Sequence, residues 1–178
     1  KITKLVQGQL ADPIIEVGPG TGSLTGELLK DNYRIKAIEI DRKLAEILNE
    51  RFIDVPNLEI FNEDAMEFDY TQLQGPWWIF VSNLPYNIGT RLLVKLITEV
   101  PVIHRYVVMV QKEVGERIVA NPGGKEYGAL SVLFKLFTES KIQFDVSKNC
   151  FYPPPKVTSS VLTIPVSYTH LTLPTRLP

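Results

Sequence analysis

Ile14-Ile15-Glu16-Val17-Gly18-Pro19-Gly20-Thr21-Gly22-Ser23-Leu24-Thr25 is the stretch whose reading decides the fold. It opens with a strand-length run that is apolar except for one acid. A glycine turn follows, and from Ser23 onward Leu24, Leu28 and Leu29 recur at helical spacing. The pattern is strand, turn, helix. Glycine permits positive φ and lets a ligand lie against the main chain, while a helix start offers N–H groups with no internal partner. The plain alternative is a tight turn that holds no ligand.

The next segment weighs against that alternative. Arg34 to Asp41 reads as a second strand, and it ends in Glu39-Ile40-Asp41, about twenty residues after the glycines. A nucleotide-binding fold places there a carboxylate that takes both ribose hydroxyls. The glycine spacing then narrows the ligand. A dinucleotide loop reads Gly-x-Gly-x-x-Gly, whereas this one reads Gly-x-Gly-x-Gly with Glu16 two residues ahead of it. An acid is a poor neighbour for a pyrophosphate and a better one for the ammonium and sulfonium of S-adenosylmethionine.

Working outward, Arg42 to Phe52 reads as an amphipathic helix with Leu44, Ile47, Leu48 and Phe52 on its packing face, and Leu58 to Phe61 as a third strand. Trp77 to Val81 is apolar throughout, as in a central parallel strand buried on both faces. It delivers Ser82-Asn83-Leu84-Pro85-Tyr86. A helix is expected from Arg91 to about Thr98, a fifth strand over Tyr106–Val110 and a helix over Gln111–Val119. Two more strands are expected, Leu136 to Val146 with interruptions and Val157 to Ile164. Strands alternating with helices imply an α/β domain with a mostly parallel sheet, helices on both faces and right-handed crossovers. In such a sheet Gly18, Glu39, Asp64 and Asn83 meet at the carboxyl edge.

Each edge residue has two readings. Asp64 accepts from an adenine amino group or caps the turn before Met66. Asn83 with its neighbours sets an amide, two carbonyls and an aromatic face at the lip of the sheet, which suits a flat base carrying an amino group; Asn-x-Pro is also a common strand exit. Phe151 precedes three prolines that stiffen the chain. It is either an aromatic aimed at the same edge or a core plug.

Composition bounds the rest. The 178 residues are 44% hydrophobic and 22% charged, as in one ordinary globular domain. The net charge of −1 hides an asymmetry: residues 1–100 hold 10 basic against 15 acidic side chains, residues 101–160 hold 8 against 5. The basic second part suits a phosphate backbone, although solvated surface explains it equally well. One cysteine, Cys150, points to a reducing compartment, and no apolar run suggests a membrane span or a signal peptide. A cytoplasmic setting is expected. His104 and His170 have no partners at metal spacing, so no metal is expected.

Seven segments in order resemble the S-adenosylmethionine-dependent ribosomal RNA adenine dimethyltransferases of the KsgA/Erm type. They are Glu16-Val-Gly-Pro-Gly-Thr-Gly22, Glu39-Ile-Asp41, Glu63-Asp-Ala65, Asn83-Leu-Pro-Tyr86, Gln111-Lys-Glu-Val114, Tyr127-Gly-Ala-Leu-Ser131 and Phe151-Tyr-Pro-Pro-Pro-Lys-Val157. The resemblance runs over roughly residues 1–165 and is greater to the bacterial small-subunit enzymes than to the resistance methylases. It implies a Rossmann-like, seven-stranded methyltransferase domain over 1–166, with 167–178 a tail of doubtful origin. It also implies S-adenosyl-L-methionine held by Glu16, Gly18, Gly20, Glu39, Ile40, Asp64, Ala65 and Asn83. The acceptor adenine would be handled by Asn83, Leu84, Pro85, Tyr86 and Phe151. The implied partner is ribosomal RNA in a small-subunit assembly particle, with a monomeric enzyme and no membrane. Two departures stand out. The family's Gly-Gln-x-Phe-Leu segment before the first helix is missing, and a Thr/Leu/Pro tail replaces its small helical RNA-binding domain, so a fragment is expected. Competing readings are an adenine methylase of large-subunit RNA or DNA, a glutamine amide methylase, and an RNA-binding assembly or transcription factor with an idle cofactor site.

Overall fold

The computed structural model describes residues 1–6, 12–75, 77–151 and 155–167. Seven strands form one sheet: β1 (Ile14–Val17), β2 (Ile35–Ile38), β3 (Leu58–Phe61), β4 (Trp78–Asn83), β5 (Ile103–Gln111), β6 (Lys141–Val146) and β7 (Ser159–Pro165). Their order is β3-β2-β1-β4-β5-β7-β6. From β3 to β5 every pair is parallel, and β7 runs antiparallel to both of its neighbours. Among the described residues five α-helices fill the connections: α1 (Ser23–Lys30), α2 (Arg42–Arg51), α3 (Gly89–Glu99), α4 (Lys112–Val119) and α5 (Ala129–Phe137). The expected Rossmann-like α/β architecture is thus what the chain adopts.

The apolar runs explain the layers. All four β1 residues are buried, and alternate side chains serve opposite faces. On one face Ile15, Val17, Phe80, Tyr106 and Leu162 pack with Leu92, Leu93 and Leu96 of α3, Ile118 of α4 and Phe134 of α5. On the other, Ile14, Ile35, Ala37, Ile79, Val81 and Val107 pack with Leu28 of α1 and Val6. The chain winds outward from β1 through β2 to β3, then returns to place β4 on the other side of β1. The carboxyl ends of β1 and β4 therefore flank a topological switch point, the position where open α/β sheets bind ligands.

Four expectations change. β4 starts at Trp78 and runs to Asn83. Trp77 lies outside it, half-exposed, with its ring edge-on to His104 at 5.2 Å. On α2, Ala45 and Leu48 are the buried pair, while Ile47 stays 45% exposed. Leu136 belongs to α5 rather than to a strand, and β6 begins only at Lys141. Seven of the nine α5 residues are apolar, which makes the run read like a strand, and Leu136 itself faces outward. Within Tyr127-Gly-Ala-Leu-Ser131 the Ser131 hydroxyl accepts the Gly128 N–H and donates to the Arg117 carbonyl, so this segment starts α5 and ties it to α4. Tyr152, Pro153, Pro154 and the tail from 168 to 178 lie outside the described residues. The Ser167 N–H donates to the Phe137 carbonyl, which joins the end of the described chain to α5.

Candidate active site

The loop after β1 is built on three glycines with positive φ: Gly18, Gly20 and Gly22. Two of them are required by close approach as well. A Cβ at Gly22 would sit 2.6 Å from the Phe52 ring and 2.7 Å from Leu48, so its absence lets α2 close on the loop. A Cβ at Gly18 would come within 3.2 Å of Pro85 Cγ, which means the loop and the Asn83-Leu84-Pro85-Tyr86 turn are in contact. Gly20 faces open space.

Glu16 lies beneath this loop and not on its open side. It is 1% exposed and accepts the Thr25 hydroxyl of α1 at 2.8 Å. Burial pushes its carboxyl up to about 7, the Thr25 hydrogen bond works against that, and nearby Glu39 adds to it. Through Thr25, Glu16 ties the strand that carries the loop to α1. The carboxyl titrates at 4.5 when unperturbed and near 7 in the fold. Its stabilising contribution is therefore complete below the lower value and lost as pH rises through the higher one. Glu16→Gln mimics the neutral form. It is expected to gain on the parent by on the order of 3 kcal/mol between about pH 4 and about pH 8. Urea unfolding at both pH values measures this, and a pH-independent difference would contradict it.

Glu39, the first residue after β2, is 5% exposed. One carboxylate oxygen accepts the Gly20 N–H and the other accepts the Asp41 N–H, each at 3.0 Å. A carboxylate offers about four acceptor positions, so each oxygen keeps one for a ligand hydroxyl. Ile40 beside it is 68% exposed, an apolar ledge on an otherwise polar edge. Asp41 caps α2 by accepting the Lys43 and Leu44 N–H groups.

After β3, Asn62 donates from Nδ2 to the Glu39 and Ile40 carbonyls and fixes the two strand ends together. Asp64 is exposed, and its Oδ1 accepts the Met66 N–H at 2.8 Å. The capping role weighed from sequence is therefore real, and the second oxygen remains for a ligand. Ala65 is buried, with its carbonyl taken by the Tyr70 hydroxyl.

Asn83 ends β4 opposite Met109 and is exposed. Ser82 just before it is fully buried and donates to the Val17 carbonyl at 2.6 Å, which pins β4 to β1 at the switch point. Leu84 is buried, its N–H donating to Met109, and Pro85 offers its carbonyl to Ile88 and Gly89 to begin α3. A Cβ at Gly89 would meet Leu84 at 3.2 Å, so the helix starts in tight contact with the turn. Among the described residues neither the Asn83 side-chain amide nor the Leu84 carbonyl has a hydrogen-bond partner. Tyr86 is 42% exposed, and its hydroxyl shares a hydrogen bond with Ser159 at 3.0 Å. Phe151 is half-buried at the end of a 3₁₀ turn, Lys148–Cys150, that leads toward β7.

One edge thus carries a glycine loop, two carboxylates, an apolar ledge, a free amide and carbonyl, and an exposed tyrosine. Sequence reasoning assigned no role to Thr25, Asn62, Ser82 or Ser159. Asn62, Ser82 and Ser159 were marked only as small polar residues at strand ends, and Thr25 only as one in the first turn of α1. Among the described residues no three His, Cys, Asp or Glu side chains gather to hold a metal, and no helix is long and apolar enough to cross a membrane.

The profile of the ribosomal RNA adenine dimethylases matches residues 1–171. The chain belongs to that family. Its relatives include proteins named ribosomal RNA small subunit methyltransferase A: the one from Thermotoga maritima is 45% identical over 92% of this chain. The one from Methylococcus capsulatus is 44% identical over 86% of it. The chain spans 57% and 60% of the length of these two relatives. Among solved structures, a dimethyladenosine transferase from Plasmodium falciparum superposes with a TM-score of 0.82 at 31% identity, covering 95% of this chain and 61% of that one. The 23S rRNA methyltransferase ErmE gives 0.81 at 28% identity, covering 93% and 66%. The seven-stranded sheet is therefore the methyltransferase fold of this dimethylase family.

Proposed function

We propose that the protein transfers methyl groups from S-adenosylmethionine to the exocyclic amino nitrogen of adenosine in small-subunit ribosomal RNA, twice on the same base. Residues 1–166 form the catalytic domain of this reading, acting as a monomer on an assembly particle in the cytoplasm. Family membership and the named relatives support the substrate class. The observation that carries the chemistry is the contact between the glycine loop and Pro85, because it sets a cofactor loop directly against the acceptor turn.

The edge fits the cofactor. Glu39 keeps an acceptor on each oxygen for the two ribose hydroxyls, Ile40 offers an apolar surface for the adenine, and Asp64 has an oxygen for its amino group. Gly18 and Gly20 leave the main chain open to the methionine end, and Ala65 and Asn83 border the same edge. When bound, S-adenosylmethionine supplies a methyl group made electrophilic by the sulfonium.

The chain's own residues address the weak nucleophile. An adenine amino group is poorly nucleophilic because its lone pair is delocalised into the ring. The Asn83 side-chain oxygen and the Leu84 carbonyl would accept its two hydrogens, hold the nitrogen closer to tetrahedral and aim the freed lone pair. Tyr86 and Phe151 would stack on the two faces of the base, which offsets the few kcal/mol needed to take it out of its helix. Pro85, with its φ fixed by the ring, would hold the turn that carries the Leu84 carbonyl beside Asn83. Alignment and fixed dipoles then supply the rate, with no strong base required.

The test is to incubate the full-length protein with methyl-labelled S-adenosylmethionine and equal masses of unmodified ribosomal RNA particles, DNA and protein. Label is expected in RNA. Label confined to DNA or protein would overturn the substrate assignment.

A further inference from the structure

Ser159 is the first residue of β7 and is completely buried. It pairs across the sheet with Gln111 of β5 on one side and Val146 of β6 on the other, so its backbone is fixed from both directions. Its hydroxyl meets the hydroxyl of Tyr86 at 3.0 Å, across 73 residues of sequence. Tyr86 is in the opposite condition: it sits on the turn between β4 and α3 and is 42% exposed. An exposed aromatic on a turn is free to change rotamer, whereas one held at its tip by a residue inside a sheet has its ring plane set in advance.

We infer that Ser159 is a positioning residue, which fixes the ring of Tyr86 as a platform for the acceptor base by anchoring its hydroxyl. This rests on the reading of Tyr86 as a base-stacking residue. It also links the two aromatics, because β7 begins eight residues after Phe151 and the same strand end holds the tip of Tyr86. The simpler account is that a buried serine hydroxyl needs some partner and Tyr86 happens to supply it. The two accounts differ in what happens when the ring is kept and only the bond is removed.

The experiment is a double-mutant cycle in the full-length protein, read as single-turnover methyl transfer to unmodified small-subunit particles. Ser159→Ala and Tyr86→Phe are each expected to lower transfer ~3–10-fold, the range of one hydrogen bond of net worth about 1 kcal/mol. The double variant is expected to fall no further than either single one, because both remove the same bond. Affinity for S-adenosylmethionine should be unchanged, and Ser159→Thr, which keeps the hydroxyl, should restore the rate. Wild-type transfer by Ser159→Ala, or a double variant whose loss is the product of the single losses, would overturn the inference. So would a rate loss in Ser159→Ala that tracks a lowered unfolding midpoint and is not rescued by threonine. Tyr86→Ala separates this from the reading beneath it. Full transfer by that variant would remove Tyr86 from base stacking altogether, while strong loss combined with an additive cycle would remove only Ser159.

Discussion

Asn83→Ala in the full-length protein is expected to lower methyl transfer to RNA by ~100-fold or more, the scale on which a single positioned polar group acts in an active site. Affinity for S-adenosylmethionine should stay within about threefold, a change worth under 1 kcal/mol. The structure explains why the two quantities separate. Asn83 is the exposed final residue of β4, and its side-chain amide makes no hydrogen bond to the described residues, so the fold does not depend on it. The ribose and adenine positions belong to Glu39, Ile40 and Asp64 on other strands. Single-turnover transfer and calorimetric titration together measure the split. Transfer near the wild-type rate would remove Asn83 from orienting the amine.

Glu39→Ala should produce the converse result. Losing a carboxylate that accepts from two ribose hydroxyls is expected to weaken S-adenosylmethionine binding ~100-fold or more, since hydrogen bonds to a charged group are worth roughly 1.5–3 kcal/mol each. The loss has a second source. The same carboxylate accepts the Gly20 and Asp41 N–H groups, so its removal also loosens the glycine loop and the entry to α2. Glu39→Gln keeps one acceptor oxygen and should fall between the parent and the alanine variant. Calorimetry reads both, and an unchanged dissociation constant in Glu39→Ala would take Glu39 out of the ribose role.

Much of this edge was legible from sequence because several local signals agreed there. From Ile14 to Thr25 the apolar run, the glycines and the leucine spacing all imply strand, turn and helix, and the structure has all three. Glu39, Asp64 and Asn83 could be placed at one edge because parallel strands with helical crossovers deliver all their carboxyl ends to the same side. What stayed illegible was long-range. The hydrogen bond from Ser82 to Val17 spans 65 residues, and no local pattern announces it. The position of β7 between β5 and β6, antiparallel to both, follows from sheet topology rather than from the composition of the strand.

Two failures have a narrower cause. α5 was hidden because seven of the nine residues from Ala129 to Phe137 are apolar, and a short apolar run does not by periodicity alone distinguish helix from strand. The Thr25 partner of Glu16 was missed because an acid beside a glycine loop suggests a cationic neighbour. In a strand, though, side chains alternate, and Glu16 shares the face of Ile14 toward α1, where Thr25 meets it.

The central claim is that this edge orients an adenine amino group for two successive methyl transfers. The most direct measurement is to incubate the full-length protein with S-adenosylmethionine and unmodified small-subunit particles, digest the RNA to nucleosides and weigh the adenosines by mass spectrometry. The account predicts adenosine carrying two methyl groups on its exocyclic nitrogen, absent when Asn83 is alanine. RNA without methylated adenosine, from a protein shown by calorimetry to bind the cofactor, would contradict it.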